Sequence, residues 1–220
     1  MSARPARTRL SPARVITGAV DLADDIGVDA VTIRRLADHL GVKPMSIYHH
    51  VASKDEIIDG MVEAVFAEIA LPSDDADWRT AIRGRCASAR VVLARHPWAP
   101  PLMDSRISPG PAQLRQHDAV IGALLAGGLS FSLAAHAYAI LDAFVYGFAL
   151  QEASMPATGG DELATLATDI VAALPADEYP NFAAFATHVA LQPGYDFGAS
   201  FDFGLGLILD GLEAARRAER

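Results

Sequence analysis

The residues best suited to chemistry lie in one short run near the amino terminus. Between Lys43 and Lys54 the chain carries cations, hydroxyl groups and two adjacent histidines. Lysine, serine, tyrosine and histidine side chains donate hydrogen bonds to phosphate oxygens, so the run suits a nucleic-acid backbone. His49 and His50 are neighbours and would point about 100° apart on a helix, which makes them a poor metal pair. The run therefore favours nucleic-acid binding over metal chemistry.

The spacing around Gly41 predicts a helix-turn-helix that would position this run. Apolar residues recur at helical intervals after Thr32, Gly41 stops that helix, and a second short helix is predicted over residues 44–50. Glycine tolerates the positive φ angle that a tight turn needs. In such a unit the second helix enters the major groove of DNA with its first residues at base edges. The same spacing also occurs in helix pairs that have no DNA-binding role.

The charge distribution separates a basic head from an acidic body. The chain of 220 residues has a formal net charge of −9. Residues 1–54 hold eight basic and five acidic side chains, a balance of +3, and the remainder holds ten basic and 22 acidic side chains, a balance of −12. We therefore predict a helix-turn-helix domain over residues 1–54 (the head), with 1–10 as a flexible arm, and a second domain over 55–220 (the body).

Every long segment has helical periodicity, and proline and glycine fall between the periodic segments. Ser53 and Glu56 have the spacing of a capping box that would begin the fourth helix. We expect an all-α fold of about nine to ten helices, with a three-helix head and a helical bundle. The longer helices are predicted over about residues 11–26, 53–71, 78–96, 111–126, 130–153 and 198–217, with an interrupted region over 161–191.

One apolar span is long enough to cross a bilayer. Between Asp118 and Glu152 the one Asp, Glu, Lys or Arg side chain is Asp142. A helix stop followed by a cap signal at residues 127–130 divides the span, and no Lys/Arg bias flanks it. We therefore predict two buried helices of a soluble bundle and no membrane partner. No apolar segment follows the basic residues at the start of the chain, which favours the cytoplasm.

The stretch AVTIRRLADHLGVKPMSIYHHVASKDEIIDGM resembles the DNA-binding head of the TetR family of transcriptional repressors. In that family the recognition helix ends in an aromatic-rich run, followed by a lysine that opens the fourth helix, as residues 47–51 and Lys54 do here. The resemblance implies a double-stranded DNA operator, mostly backbone contacts, and a position at Arg34 that reaches a base. The side chains assigned to DNA are Thr32, Arg34, Lys43, Met45, Ser46, Tyr48, His49, His50 and Lys54.

The carboxy-terminal part resembles the subgroup with a tetracycline-repressor-like C-terminal domain, through HPWAPPLMDSR, AHAYAILDAFVYGFALQEA and DFGASFDFGLGLILDGLEA. Glycines inside the last helix indicate close helix packing, because each costs about 1 kcal/mol relative to alanine. The resemblance implies that the eighth and last helices form a four-helix homodimer interface; the alternative is that both are interior to one chain. The residues assigned to the interface are Tyr138, Asp142, Tyr146, Phe201, Leu205, Ile208, Leu209 and Leu212.

Polar side chains on apolar helix faces indicate a small-molecule site. His117 shares a predicted helix face with Leu114 and Ile121, and a buried histidine needs a hydrogen-bond partner that a ligand could supply. Taken one at a time, the nearby aromatic residues fit a plain core or interface, whereas the resemblance implies an effector pocket. The residues assigned to that pocket are Trp98, Met103, Arg106, His117, Phe144 and Phe148.

The resemblance also argues against one ligand. Tetracycline-responsive members of the family place a magnesium-binding histidine in the loop before the seventh helix. The corresponding residues 102–106 include Arg106 but no histidine, and His96 lies upstream, before Pro97. We therefore expect no magnesium–tetracycline chelate, no bound metal and no cofactor.

No motif predicts catalysis. The sequence has no G-x-S-x-G, Walker, G-x-G-x-x-G or H-E-x-x-H pattern, and its single cysteine, Cys86, lies on an apolar helix stripe. We predict a homodimeric repressor, not an enzyme, that binds a palindromic operator and is released by an unidentified small-molecule effector. Two alternatives stay open: a helical ligand-binding protein or enzyme with a non-functional head, and an activator or a regulator without an effector.

Overall fold

A computed structural model of the chain describes residues 9–103, 109–155, 178–192 and 194–219, with a few isolated positions between 165 and 175. The regular structure of these residues is helical, which confirms the all-α prediction. Most of the predicted flexible arm and much of the predicted region 161–191 lie outside the described residues. The helices are α1 (Pro12–Ile26), α2 (Ile33–Leu40), α3 (Pro44–Ile47), α4 (Lys54–Glu68), α5 (Trp78–Arg95), α6 (Pro100–Met103), α7 (Pro111–Ala126), α8 (Phe131–Ser154), α9 (Pro180–Phe185) and α10 (Ala199–Ala218).

The chain divides by packing into two compact units, Met1–Gly128 and Leu129–Arg220. The first unit holds α1–α7 and the second holds α8–α10. Within the first unit α1 packs against α4, and α4 packs against α7, so the helices of the head share a core with helices of the body. The functional division predicted at residues 54 and 55 is a separate matter and stays a prediction.

Side-chain caps begin several helices where the sequence indicates them. The Ser53 hydroxyl accepts the Glu56 amide at 3.1 Å, and the Glu56 carboxylate accepts the amide of the residue before Ser53. The hydroxyls of Ser11, Thr32 and Ser130 accept amides three residues on in the same way. Each such cap contributes about 0.5–2 kcal/mol to helix stability. These local contacts fix where α1, α2, α4 and α8 begin.

Helices α4 and α7 hold each other's ends. The Glu63 carboxylate of α4 accepts hydrogen bonds from the backbone amides of Ala112 and Gln113 in the first turn of α7. In the other direction, the Gln116 side chain of α7 donates to the carbonyl of Ile69, just after α4, at 2.6 Å. Helix ends leave amides and carbonyls without intrahelical partners, and here each helix supplies partners to the other. We call this arrangement the reciprocal cap.

In the second unit α8 and α10 run antiparallel and pack through aromatic rings. Phe148 stacks on Phe197 with ring centroids 4.8 Å apart and meets Phe201 edge-to-face at 5.1 Å. A Cβ atom at Gly204 would lie 2.8 Å from the ring of Phe144. This glycine therefore permits the close helix approach that the sequence predicts.

By length and apolar composition α8 could cross a membrane, a test that core helices of soluble proteins also pass. The predicted break before it is confirmed, because α7 ends at Ala126 and the Ser130 hydroxyl caps α8. Within the most apolar part of α8, 39% of the residues are buried in the chain. An apolar face of α8 is therefore left uncovered by its own chain.

The Glu213 carboxylate near the end of α10 makes stability depend on pH. Hydrogen bonds from Arg216 and Arg217, the latter at 2.7 Å, lower the pKa of Glu213 from 4.5 to about 2. A carboxyl group whose pKa is lowered by folding stabilises the folded state above its unfolded pKa, and this contribution is lost as the pH falls through the folded pKa. We expect Glu213→Gln to flatten the fall in unfolding free energy between pH 4.5 and about 2, measured by urea denaturation.

Asp202→Asn, at an exposed carboxyl on the same helix, is the matched control for this prediction. It should leave that part of the pH profile unchanged. Equal flattening in both variants, or in neither, would contradict the assignment of the pH dependence to Glu213.

Candidate nucleic-acid interface

Backbone hydrogen bonds close the turn between α2 and α3. The amides of Gly41 and Val42 donate to the carbonyls of Asp38 and Ala37 at 3.1 and 2.9 Å. This pair of bonds defines a Schellman motif, which ends a helix with a left-handed residue. Gly41 has that conformation, with φ 68° and ψ 35°. The predicted helix-turn-helix is therefore present, and its turn has a geometry that favours glycine.

Apolar packing fixes the angle between the two helices. Leu36, Ala37 and Ile47 are completely buried, and Leu40 is half-buried. The guanidinium of Arg14 on α1 donates to the Leu40 carbonyl at 3.3 Å, which satisfies a carbonyl at the end of α2. Helices α2 and α3 therefore pack through apolar side chains, and α1 supports the turn from behind.

The recognition helix is shorter than predicted. It is α-helical from Pro44 to Ile47, and residues 48–50 continue as a turn in which the His50 amide donates to the Ile47 carbonyl at 2.8 Å. The chain leaves the helix here because Ser53 must adopt the extended conformation of the cap of α4. The aromatic end of the run therefore lies on a turn between two helices.

The side chains assigned to DNA are accessible, as an interface requires. Met45 is 68% exposed and Tyr48 is 47% exposed, although the neighbouring Ile47 is completely buried. The Thr32 hydroxyl is engaged as the cap of α2. The other exposed members are Arg34, Lys43, His49 and Lys54, and the half-buried members are Ser46 and His50. Their contacts with DNA stay a prediction.

The residues assigned to an effector belong to both compact units. Trp98 and Met103 are buried in the first unit, and His117 is half-buried there. In the second unit Phe144 and Phe148 have ring centroids 6.0 Å apart.

Two of the side chains assigned to the effector, Trp98 and His117, have partners within the chain. The indole N–H of Trp98 donates to Asp24 of α1 at 2.6 Å, so its polar edge is bound by the head and is not aimed at a ligand. The predicted buried face of α7 is wrong, because Leu114 is 53% and Ile121 38% exposed. His117 instead has its ring edge-to-face with Phe66. The buried residues of α7 are Ala112, Gln116, Val120 and Leu124.

Sequence reasoning misses several buried polar side chains, among them Arg85 on α5 and Gln116 on α7, each 2% exposed. Their spacing is a signal that could have found them, because Arg85 follows Ile82 by three positions and Gln116 precedes Val120 by four. The Oε1 atom of Gln116 is buried without a hydrogen-bond partner among the described residues. A buried carbonyl oxygen in this state is able to accept a hydrogen bond from a ligand.

Two of the cavities lie within the first unit. One, of about 300 Å³, is lined by α1, α4 and the start of α7, including Ile16, Gly60 and Gln113. The other, of about 410 Å³, includes Trp78 and Gly127 in its lining. None of the predicted effector residues lines either cavity, and the place of the effector site stays a prediction.

The stripe predicted for the dimer interface is mostly turned inward. Phe201 is 1% exposed, and Leu205 and Leu209 are completely buried within one chain. Tyr146 and Leu212 are buried as well, so these five side chains pack mainly within one chain, and their role in an interface stays a prediction. Tyr138, Asp142 and Ile208 are half-buried and stay a prediction.

A different stripe of α10 is uncovered. Phe203 is 71% and Leu207 58% exposed, and Asp210 and Ala214 continue the same stripe at helical spacing. Large exposed apolar side chains in a row mark a surface for a partner. Helix α10 thus has two apolar stripes, of which one packs on α8 within the chain.

No group of three or more His, Cys, Asp or Glu side chains could hold a metal ion within the part of the chain that the structure describes. Arg106, with the rest of residues 104–108, lies outside that part. The expectation about the magnesium–tetracycline chelate therefore stays a prediction.

Family models match both parts of the chain. Residues 15–61 match the tetR family of bacterial regulatory proteins, and residues 71–216 match the tetracyclin repressor-like C-terminal domain. Together with the helix-turn-helix, these matches define a bacterial transcriptional regulator. The chain belongs to the TetR family, which confirms the resemblance seen in the sequence.

Individual relatives extend the similarity over the whole length. Tetracycline repressor protein class C of Escherichia coli is 32% identical over 216 residues, covering 94% of this chain and 93% of that protein. Apo ActR of Streptomyces coelicolor has a TM-score of 0.79 at 27% identity, covering 98% of this chain and 100% of the other. ActR in complex with actinorhodin has a TM-score of 0.77 at 28% identity, covering 95% and 99%.

The left-handed turn at Gly41 generates a prediction about stability. A Cβ atom at this position would meet nothing within 4 Å, so any cost of substitution comes from the backbone alone. We expect Gly41→Ala to lower the free energy of unfolding by about 1–2 kcal/mol in urea denaturation. Gly41→Asn should cost clearly less, because asparagine tolerates the left-handed region. Equal losses in the two variants would contradict a backbone origin.

Proposed function

We propose that this chain represses transcription by binding a palindromic operator as a homodimer, and that a small-molecule effector releases it. The observation that carries the proposal is the exposed run of donors on a helix-turn-helix closed at Gly41. The name of the class C repressor and the ActR complex with actinorhodin support it. The protein would act in the cytoplasm, with no catalytic role.

The proposed DNA contacts follow from side-chain chemistry. Lys43, Lys54 and Tyr48 are exposed donors suited to phosphate oxygens, which set the position of the head on the duplex. Arg34 lies in the first turn of α2 and is exposed, and an arginine can bind guanine through two hydrogen bonds. Met45 lies in the recognition helix and is suited to apolar contact with a thymine methyl group.

A homodimer would place two such heads on one operator. Half-sites read by helix-turn-helix dimers lie about 34–36 Å apart, one turn of DNA. The surface that supports dimerisation is the uncovered stripe of α10 with Phe203 and Leu207, together with Ile140 and Leu150 on α8, which are 48% and 42% exposed. Two-fold pairing of these stripes would form a four-helix interface in which each patch meets its own copy.

The effector would release DNA only if it binds better to a conformation with wrongly placed heads. We propose that Arg85 and Gln116 orient it, because small-molecule sites combine apolar walls with a few polar groups. Met103 and His117 would supply contacts from the same unit. We keep the sequence-based prediction that the effector also contacts Arg106, Phe144 and Phe148.

Operator recovery tests the DNA-binding proposal. Genomic fragments selected on the purified protein should contain one palindrome, and gel shifts should show it bound by a dimer with affinity that falls as salt rises. Arg34→Ala should weaken binding by about 10- to 100-fold, because a lost bidentate base contact costs about 1–3 kcal/mol. A transcription assay with the recovered operator would separate repression from activation.

Arg115→Ala is the matched control, because Arg115 is an exposed arginine of the body on α7. It removes the same charge and should leave operator affinity nearly unchanged. Equal losses in the Arg34 and Arg115 variants would mean that Arg34 contributes only bulk charge. Failure to enrich any fragment would overturn the proposal that the head recognises an operator.

The dimer surface makes a second prediction. Replacing Phe203 and Leu207 together by glutamate would place like charges in an apolar two-fold interface, which is strongly unfavourable. Sedimentation velocity should change from dimer to monomer, while circular dichroism stays helical because both side chains are exposed in one chain. Val91→Glu, at a residue of α5 that is 62% exposed, is the control and should remain dimeric. A double variant that still sediments as a dimer would refute this interface.

A further inference from the structure

The His96 side chain connects three helices of the first unit. It follows α5 directly and is 5% exposed. Its Nδ1 atom lies 2.8 and 3.0 Å from the two carboxylate oxygens of Asp24, near the end of α1. Its Nε2 atom lies 3.4 Å from Oε2 of Glu68, the last residue of α4. Both ring nitrogens therefore face carboxylate oxygens.

Asp24 receives a second donor from the same segment. The indole N–H of Trp98 donates to its Oδ1 atom at 2.6 Å, and the rings of His96 and Trp98 meet edge-to-face at 5.9 Å. Arg95 of α5 lies 2.9 Å from the Glu68 carboxylate. The charged groups around the imidazole are thus one carboxylate from α1, one from α4, and a guanidinium from α5 behind the latter.

This geometry makes the contacts sensitive to a proton. A neutral imidazole has one N–H donor and one acceptor nitrogen, whereas an imidazolium donates from both. With a carboxylate at each nitrogen, the neutral ring must turn a lone pair toward one of them. The protonated ring satisfies both and forms charge-assisted hydrogen bonds, which are about twice as strong as neutral ones.

The connection joins the part of the chain predicted to bind DNA to the part predicted to bind an effector. Asp24 belongs to the head, and Glu68, His96 and Trp98 belong to the body. We propose that these four side chains form a latch that holds the head in one orientation on α5, and that protonation of His96 tightens it. The consequence for operator binding rests on the proposed function, whereas the latch itself can be measured without DNA.

The latch is tested by electron–electron distance measurements within one chain. Spin labels at Asp38→Cys on α2 and Ala87→Cys on α5, both exposed, report head orientation in a Cys86→Ala background. The labelled chain is diluted with unlabelled chain, so that distances between chains do not contribute. We expect the distribution to be narrower at the lower of two pH values within the range in which the chain stays folded, because the protonated ring donates from both nitrogens.

Variants separate the latch from general destabilisation. His96→Gln should give the broad distribution at both pH values, with the latched fraction reduced roughly tenfold, because a hydrogen bond to a charged group is lost. Trp98→Phe removes one donor and should broaden the distribution while keeping its pH dependence. His39→Gln, at an exposed histidine of α2, is the control and should behave like the native chain.

Two results would overturn the proposal. One is a distance distribution that does not change with pH in the labelled chain without substitutions in the latch. This result requires no further variant. The other is a His96→Gln distribution identical to the native one at both pH values. With an operator in hand, His96→Gln should change affinity without changing its salt dependence, because the latch supplies no phosphate contact. If no operator is recovered, that result counts against the proposed function only. The distance measurements would still decide whether the latch exists.

Discussion

The reciprocal cap between α4 and α7 fixes the orientation of α4, the helix that follows the run of donors from Lys43 to Lys54. Helix α4 begins at Lys54, the last residue of that run. In its second half, Glu63 accepts a hydrogen bond from an amide at the start of α7, and Gln116 of α7 donates to the carbonyl of Ile69 just after α4. A Cβ atom at Gly110 would meet the end of the Glu63 side chain, which would have to shift. Rotation of α4 against α7 would leave buried groups unsatisfied at about 1–3 kcal/mol each. The two helices therefore move as one body or break several hydrogen bonds together.

Carboxylates on the early helices serve as acceptors for donors on later ones. Asp24 on α1 and Glu63 on α4 both bind groups more than 45 residues further along the chain. Through Asp24 the head shares polar contacts with the body, and packing does not separate the chain at residue 54.

Local signals made the helix boundaries and the turn predictable from sequence. The cap at Ser53 and the stop at Gly41 act through residues within four positions, so their patterns are sufficient. Sequence periodicity predicts the inward faces of α7 and α10 less well, for a different reason. Helices α7 and α10 carry apolar residues on more than one side, and periodicity cannot tell which side packs within the chain. The hydrogen bond from Trp98 to Asp24 joins residues 74 positions apart, which no spacing rule reports.

The two apolar stripes of α10 also bear on function. One stripe packs on α8. The other leaves Phe203 and Leu207 exposed to water, and this exposure costs free energy unless a partner covers the two side chains. A partner related by two-fold symmetry would also bring two heads together, and their separation must match one turn of DNA. Helix α4 has 15 residues, about 22 Å at 1.5 Å per residue, so a tilt of about 5° displaces its end by about 2 Å. Base contacts do not survive such a displacement, because hydrogen-bond distances tolerate only a few tenths of an ångström. Small changes at the latch or at the reciprocal cap are therefore large enough to decide whether both heads fit one operator.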